Sequence, residues 1–204
     1  MLWVVTPVLL LFADTVSVRE LAVPQKARDK YEDAQRKLAR HDSEGARRKL
    51  DEAVALAPAY SAAWNALGVI TNSEADFRRA IDADPDNLDA ILNLGGLLLK
   101  TGRAEEALGF SQRAAFTLSG DASAQAQLGM NCYQLGKLAE AEKALLTTKR
   151  LDPEHYTLPQ LFLAEIYARR GEKSRAAQEI TELLALRPDA SLEATLRTTL
   201  AKLQ

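Results

Sequence analysis

The sequence predicts an all-α fold, an α-solenoid of about five antiparallel helix hairpins, one of them shortened, with a capping helix at the C-terminal end. From about residue 24 onward, apolar residues recur at steps of three and four, the spacing that places them on one face of a helix. Turn-forming glycines and prolines follow at near-constant intervals, which is typical of stacked repeats. The composition, 47% apolar but only 6% aromatic, suits aliphatic helix packing.

The clearest repeat unit is residues 88–119. Its first half places Ile91, Leu94 and Leu98 on one face of a helix, and Thr101-Gly102 then ends that helix. From Ala104 the same period begins again with small residues, which let two helices approach closely. A hairpin of this kind cannot bury its apolar stripe alone, so we expect it to pack against a neighbouring hairpin.

The other helices are predicted from the same period and from prolines, which disfavour helix at the preceding residue. They are expected over Lys26–Arg40, Glu44–Ala57, Tyr60–Thr71, Glu74–Ala83, Ala122–Leu135, Leu138–Leu151, Leu158–Arg170, Ser174–Leu186 and Leu192–Leu203. The predicted domain boundaries are an N-terminal segment at 1–23, repeats at about 24–58, 59–85, 86–119, 120–153 and 154–188, and a capping helix at 189–204.

The second repeat is shorter than the others. The repeat ends lie 34, 34 and 35 residues apart from Pro85 through Ser119 and Pro153 to Pro188, but Pro58 and Pro85 are only 27 apart. The missing seven residues are about two helical turns. Either the repeat is a short hairpin that turns at residues 72–73, or residues 60–83 form one fused helix. The weak helix formers at 71–73 favour the short hairpin.

Several residue types recur in phase across these units. They are Trp64, Leu67, Gly68, Phe77, Ala80 and Pro85 in the second; Leu94, Gly95, Ala107 and Ala114 in the third; Leu128, Gly129, Ala141 and Pro153 in the fourth; and Leu163, Ala164, Tyr167, Ala176 and Pro188 in the fifth. The units therefore resemble tetratricopeptide repeats of the bacterial type over about residues 25–188, although the first lacks the aromatic and the Leu-Gly. Trp64 and Phe77 are expected to fill the gap between hairpins.

The resemblance implies a right-handed solenoid that acts as a non-catalytic protein–protein interaction scaffold. In that family the first helix of each hairpin lines the concave face and contacts a peptide. Asn93 and Gln127 are expected to hydrogen-bond the backbone of an apolar segment held there. In one branch of the family, Lys, Arg and Asn side chains of the concave face bind the terminal carboxylate of a peptide. Here only Asn93 matches that arrangement, and its basic residues are absent. The candidate peptide-binding residues are Leu92, Asn93, Gly96, Gln127, Met130, Tyr133, Leu161, Phe162 and Glu165.

Composition and motifs weigh against other classes of function. The net charge of −2 offers no field for nucleic acid. His41 and His155 have no acidic or cysteine neighbours at metal-ligand spacing, and neither pairs locally with Cys132. Gly95-Gly96 lies within a helical pattern and follows no strand, so it is not a phosphate loop. We expect no catalysis, no cofactor, no metal and no small-molecule substrate.

The first thirteen residues, MLWVVTPVLLLFA, are apolar but too few to span a bilayer. They are either a secretory signal, which predicts an exported or periplasmic protein, or a misplaced start or docking segment of a cytoplasmic one. Membrane association is expected only through residues 1–13, and residues 15–21 have the alternation of an extended segment. The alternative function is a cytoplasmic adaptor or assembly factor whose groove is covered by its own residues 2–12.

Overall fold

The structure, a computed structural model, describes residues 22–152 and 158–203, and within them every element is an α-helix. The predicted signal and the predicted extended segment lie outside the described residues. The helices are α1 (Gln25–Leu38), α2 (Ser43–Leu56), α3 (Ser61–Thr71), α4 (Glu74–Ala83), α5 (Leu88–Lys100), α6 (Ala104–Thr117), α7 (Ala122–Gln134), α8 (Leu138–Leu151), α9 (Pro159–Arg169), α10 (Lys173–Ala185) and α11 (Ala190–Leu203).

Helix ends are set by local side-chain chemistry. The side chains of Asp42, Ser73, Asn87 and Asp121 each accept a hydrogen bond from a backbone N–H in the first turn of the helix that follows. At the turns after α5, α7 and α9, a glycine adopts positive φ (76°, 70° and 75°), a conformation that favours glycine. The caps thus mark where four of the helices begin, and the glycines end the first helices of hairpins three to five so that the second can return antiparallel.

The shortened second repeat keeps its turn. Asn72 adopts the left-handed conformation with φ 54°, and the Ser73 hydroxyl accepts a hydrogen bond from the Asp76 N–H at 3.2 Å. Helices α3 and α4 are therefore separate, and the fused-helix alternative is wrong. Asparagine tolerates the left-handed region better than most residues, which explains why a turn forms here without glycine.

The hairpins stack in chain order. Each helix contacts the next one along the chain, and α3, α5, α7 and α9 also contact each other in sequence. The first helices of hairpins two to five thus lie side by side and form one surface, called here the first-helix face. This arrangement confirms the predicted all-α helical repeat, in which each hairpin covers the apolar stripe of its neighbours.

Glycines allow the two helices of a hairpin to approach. A Cβ atom at Gly68 would lie 2.6 Å from the Phe77 ring, and one at Gly129 would lie 2.7 Å from Leu145 Cγ. Both distances are shorter than van der Waals contact, so the partner side chain occupies the space that a larger residue would need. The Leu-Gly pairs of the sequence therefore mark the closest approaches within hairpins two and four.

The two aromatic residues expected between hairpins have different environments. Phe77 is buried and packs with Leu94 and Leu98 of the next hairpin, as expected. Trp64 is only half-buried, since its indole N–H donates to the Pro58 carbonyl at 2.8 Å near the surface. The Arg79 guanidinium lies 4.8 Å from the centroid of its ring. The need of the indole N–H for an acceptor places Trp64 at the edge of the interface rather than inside it.

Tyr167 joins three helices in the C-terminal half. Its buried hydroxyl donates to Glu142 Oε1 in α8 at 3.1 Å and accepts from Arg175 Nη2 in α10 at 2.7 Å. The Arg175 guanidinium also lies 3.8 Å from the ring centroid, and Arg170 pairs with the same Glu142 carboxylate. Burial and the negative charge of Glu142 raise the pKa of Tyr167 to about 12.

The last helix covers the end of the stack. Leu192, Leu196, Leu200 and Leu203 of α11 pack against Ile180 and Leu183 of α10, while Arg197 and Lys202 are exposed. The predicted stripe is therefore observed, and α11 buries the apolar side of the fifth hairpin.

Candidate functional site

Two adjacent hollows lie on the first-helix face, and together they are called here the central groove. One, of about 400 Å³, lies between α5 and α7 and is lined by Gly96, Leu99, Lys100, Ser123, Gln127, Met130 and Gln134. The other, of about 220 Å³, lies between α3 and α5 and is lined by Val69, Asn72, Phe77, Asn93, Gly96, Leu97 and Lys100. Gly96 and Lys100 line both hollows, so the two are continuous along α5.

The neighbouring glycines of α5 differ in what surrounds them. A Cβ at Gly95 would lie 2.4 Å from Gln127 Nε2, whereas one at Gly96 would lie 3.7 Å from the same atom, an ordinary contact distance. A side chain at Gly95 would therefore have to displace the Gln127 amide from its position against α5. Gly96 has no such requirement, and its missing side chain leaves the backbone of α5 open to the central groove.

Two amide side chains cross between first helices. Gln127 is buried, and its Nε2 donates to the Leu92 carbonyl at 3.0 Å. Asn93 Nδ2 donates to Asn65 Oδ1 at 2.9 Å. One N–H of the Gln127 amide is thus committed to the Leu92 carbonyl, and the expected contact of Gln127 with a partner's backbone stays a prediction. Asn93 keeps its carbonyl oxygen and one N–H for a further hydrogen bond.

Lys100 is the cation of the central groove. It is exposed and lines both hollows. It forms no ion pair with another residue in the described part of the chain, whereas Arg78, Arg103 and Arg175 each pair with a carboxylate. An unpaired ammonium beside apolar and amide groups can accept a carboxylate or a backbone carbonyl from a bound segment.

A second group of side chains lies further along the same face, called here the aromatic platform. The rings of Tyr133 and Phe162 meet edge to face with centroids 5.3 Å apart. Arg169 lies 4.8 Å over the Tyr133 ring, and its Nη2 donates to the Tyr133 hydroxyl at 2.7 Å while its Nε pairs with Glu165 at 2.9 Å. Burial, with the nearby Glu165 charge, raises the pKa of Tyr133. These contacts hold both rings in fixed positions.

The structure divides the candidate residues into groups. Asn93, Gly96, Gln127 and Met130 line the central groove, with Leu92 packed partly into the core beneath it. Tyr133, Phe162 and Glu165 form the aromatic platform. Leu161 points elsewhere, into a cleft beside α11 that Glu165 also lines. Their roles in partner binding stay predictions.

One surface feature escaped the sequence reasoning. Phe116, at the end of α6, is 87% exposed, and it borders a hollow of about 380 Å³ that is lined by residues of α6, α7 and α8 and shares none of them with the central groove. Cys132 lines the same hollow, and burial raises the pKa of its thiol. The signal was available, because Phe116 falls outside the apolar period of α6 set by Ala107, Ser111, Ala114 and Ala115.

Within 22–152 and 158–203, no group of three or more His, Cys, Asp or Glu side chains is placed to hold a metal ion. Over the same ranges, no helix has both the length and the apolarity to cross a bilayer.

Comparison with known proteins identifies what this arrangement is similar to. Sequence profiles described as tetratricopeptide repeat match residues 71–116 and 126–191. Among curated proteins, the chain is similar to the cellulose synthase operon protein C of Xanthomonas axonopodis pv. citri (strain 306), at 29% identity over 164 residues. That alignment covers 74% of this chain but only 11% of the relative, so the chain spans a small part of its length.

Solved structures share the fold. One is YrrB, described as a TPR protein with an unusual peptide-binding site, with a TM-score of 0.73 at 23% identity, covering 84% of this chain and 92% of that one. Another is PilF of Pseudomonas aeruginosa, with a TM-score of 0.73 at 22% identity, covering 87% and 83%. At these identities the likeness establishes the helical repeat architecture.

Proposed function

This chain is a tetratricopeptide repeat protein of the bacterial type, and on that premise we propose that it holds an extended or helical segment of a partner protein in the central groove. Proteins of this family are generally non-catalytic interaction scaffolds. The observation that carries the finer proposal is the continuous opening along α5, where Gly96 exposes backbone between Val69 on one side and Met130 on the other.

The chemistry of the groove suits an apolar segment with a polar backbone. Val69 is largely exposed and, with Met130, supplies apolar contact area, while Asn93 and Gln134 can pair with backbone groups. Lys100 adds one positive charge at the centre, which favours a segment carrying a carboxylate there. YrrB, which shares this fold, is described as having an unusual peptide-binding site, and this supports the same use of the fold here.

The aromatic platform extends the proposed binding surface toward the fifth hairpin. Its rings are already fixed by Arg169 and by each other, so a partner side chain that packs on them costs the protein little conformational entropy. We infer that a segment long enough to leave the central groove continues over Tyr133 and Phe162.

The proposal is tested by filling the groove from its floor. Gly96→Leu places a side chain in the central groove, and Gly109→Leu places the same side chain on the exposed side of α6, where a Cβ meets nothing within 4 Å. A partner captured on immobilised wild-type chain is purified, and its Kd is measured by calorimetry. We expect Gly96→Leu to weaken binding at least tenfold without lowering the Tm, and Gly109→Leu to leave the binding affinity unchanged.

Equal affinity for all three proteins would contradict the proposal. If binding instead falls with Phe116→Ser, the partner uses the hollow beside Phe116. A double change, Leu92→Asp beneath the central groove with Phe162→Asp on the aromatic platform, is expected to abolish capture if the segment follows the whole path. Because Leu92 is partly buried, the Tm of this variant has to be measured beside its binding.

A second candidate, favoured by the apolar stretch at residues 2–12, is an adaptor or assembly factor of the cytoplasm whose own N-terminal segment covers the groove. Deleting residues 1–23 then lowers the Tm and strengthens partner binding. An unchanged Tm with unchanged affinity would exclude self-covering. The cellular location is a separate proposal: export predicts a mature N-terminus that lacks the first residues, and sequencing that terminus in fractionated cells decides it.

A further inference from the structure

Gln160, the second residue of α9, is a buried amide without a hydrogen-bond partner. Its side chain is 0% exposed, and neither its Oε1 nor its Nε2 is bonded to any described residue. Removing an unpaired amide from water costs free energy, so such a residue needs an explanation.

Side chains at the position equivalent to Gln160 in two other repeats are hydrogen-bonded. Trp64, Gln125 and Gln160 each lie three residues before the Leu-Gly or Leu-Ala pair of their repeat. The Trp64 indole donates to the Pro58 carbonyl at 2.8 Å, and Gln125 Nε2 donates to the Ala115 carbonyl at 2.8 Å, each at the end of the preceding hairpin. Gln160 makes no corresponding bond in the described part of the chain. Gln160 lies instead beside a cleft that α11 also lines.

Gln160 lines a cleft of about 190 Å³ between α9, α10 and α11, called here the cap cleft. The walls include Leu161, Ala164, Leu183 and Leu196, so the Gln160 amide is a polar group among apolar ones. The hydroxyls of Thr195 and Thr199 already donate to carbonyls of their own helix, those of Ser191 and Thr195. Gln160 is thus the side chain of this cleft with an uncommitted donor and acceptor.

We propose that the cap cleft binds one peptide unit of the partner segment together with an adjoining branched aliphatic side chain. A carboxamide offers one donor face and one acceptor face, which match the C=O and N–H of a backbone peptide unit. The aliphatic walls and the volume suit a side chain of leucine size. Glu165 lines the cap cleft and also belongs to the aromatic platform, so a segment bound along the first-helix face can continue into the cap cleft. This inference therefore rests on the proposed function.

The test uses the full chain and a defined probe, N-acetyl-L-leucine methylamide, which carries a leucine side chain between two peptide groups. Titration at millimolar concentrations is followed by ¹H–¹⁵N NMR. We expect shifts of the Ala168 and Thr199 amides, which border the cap cleft. The comparison probe 3-methylbutan-1-ol has the same branched chain but no amide, and it is expected to bind at least tenfold more weakly. Equal binding of the two probes would overturn the proposal.

Two variants at the same repeat position separate binding from structure. Gln160→Leu is expected to weaken probe binding at least tenfold and to raise the Tm, since it removes an unpaired buried amide. Gln125→Leu is expected to leave probe binding unchanged and to lower the Tm, since it breaks the bond to the Ala115 carbonyl. If Gln160→Leu binds the probe like wild type, or lowers the Tm as Gln125→Leu does, the amide is structural and the proposal fails.

Two further variants complete the design. Ala168→Leu narrows the cap cleft from an exposed position and leaves Gln160 in place, so it gives a second measurement should Gln160→Leu fold poorly. It is expected to weaken probe binding, and unchanged binding would count against the cleft. Gly96→Leu is expected to leave the probe shifts intact. If Gly96→Leu loses partner binding but the wild-type protein does not bind the probe, the proposed function stands. The proposal that the cap cleft binds a peptide unit is then rejected.

Discussion

At the scale of single residues, glycines that look equivalent in the sequence have different structural roles. Gly129 is pressed against Leu145, and Gly96 opens onto the central groove. Both lie inside helices, where glycine is less favourable than alanine because of its greater freedom in the unfolded chain. A methyl group added at each position therefore has opposite effects on stability.

We expect Gly129→Ala to lower the free energy of unfolding by about 1–3 kcal/mol through overpacking. Gly96→Ala is expected to raise the free energy of unfolding by about 0.5–1 kcal/mol, because a Cβ there meets only an ordinary contact. Urea unfolding followed by circular dichroism measures both. A loss of stability in both variants would show that α5 and α7 are packed more tightly than the distances indicate.

Tyr167 predicts a loss of stability in alkali. Its folded pKa is about 12, above the value of about 10 for an exposed tyrosine, so the unfolded state loses this proton first as the pH rises. The stability that depends on the protonated hydroxyl is complete below pH 10 and is lost between pH 10 and about 12. Urea midpoints of wild type and Tyr167→Phe are compared at several pH values.

The difference in stability between wild type and Tyr167→Phe is expected to shrink across that interval. The comparison cancels the contributions of the other tyrosines, which both proteins share. A difference that stays constant from pH 9 to 12 would mean that Tyr167 titrates normally in the folded protein.

At the scale of elements, the second hairpin shows how a repeat can lose seven residues and keep its turn. The loss of about two helical turns leaves the apolar faces of α3 and α4 in phase, so Phe77 still reaches the third hairpin. The turn then depends on Asn72 in its left-handed conformation and on the Ser73 cap.

Ser73→Ala is expected to lower the free energy of unfolding by about 0.5–2 kcal/mol, the usual cost of removing a helix N-cap. Asn72→Val should also be destabilising, because a β-branched residue is poorly accommodated at positive φ. Ser174→Ala, at an exposed position of α10, is a matched control expected within about 0.5 kcal/mol of wild type. Unfolding curves that coincide for Ser73→Ala and the control would exclude a role for this cap.

Helix positions could be predicted because a 3.6-residue period and turn residues act locally, and every observed helix end lies within two residues of its predicted position. The role of each polar residue could not. Gln125 and Gln160 occupy the same repeat position, yet one is bonded and the other is not, since the outcome depends on a carbonyl of another hairpin. Gln127 likewise turned inward because the space above Gly95 admits its amide.

At the scale of the whole molecule, stability should be local, because each hairpin packs on its sequence neighbours. Leu163 is fully buried in the cluster that joins the fourth and fifth hairpins. Leu163→Ala is expected to cost about 2–5 kcal/mol of local stability. Amide hydrogen exchange should then speed up in α7 to α11 while α1 and α2 keep their protection.

The reciprocal variant is Leu50→Ala, which removes a buried side chain from the first hairpin. Its effect on exchange is expected mainly in α1 to α3, with α9 and α10 unchanged. If either substitution accelerates exchange equally along the whole chain, the stack unfolds as one cooperative unit and the nearest-neighbour description is wrong.

The side-chain amides of Asn93 and Gln127 form hydrogen bonds between neighbouring first helices, Asn93 from α5 to α3 and Gln127 from α7 to α5. Moving α5 and α7 apart would break the buried hydrogen bond from Gln127 to the Leu92 carbonyl, at a cost of about 1–3 kcal/mol. The central groove therefore has its width set before a partner segment binds. Most of the conformational entropy lost on binding is then lost by the partner segment. A side chain too large for the preformed groove is excluded, because the groove does not widen to fit it.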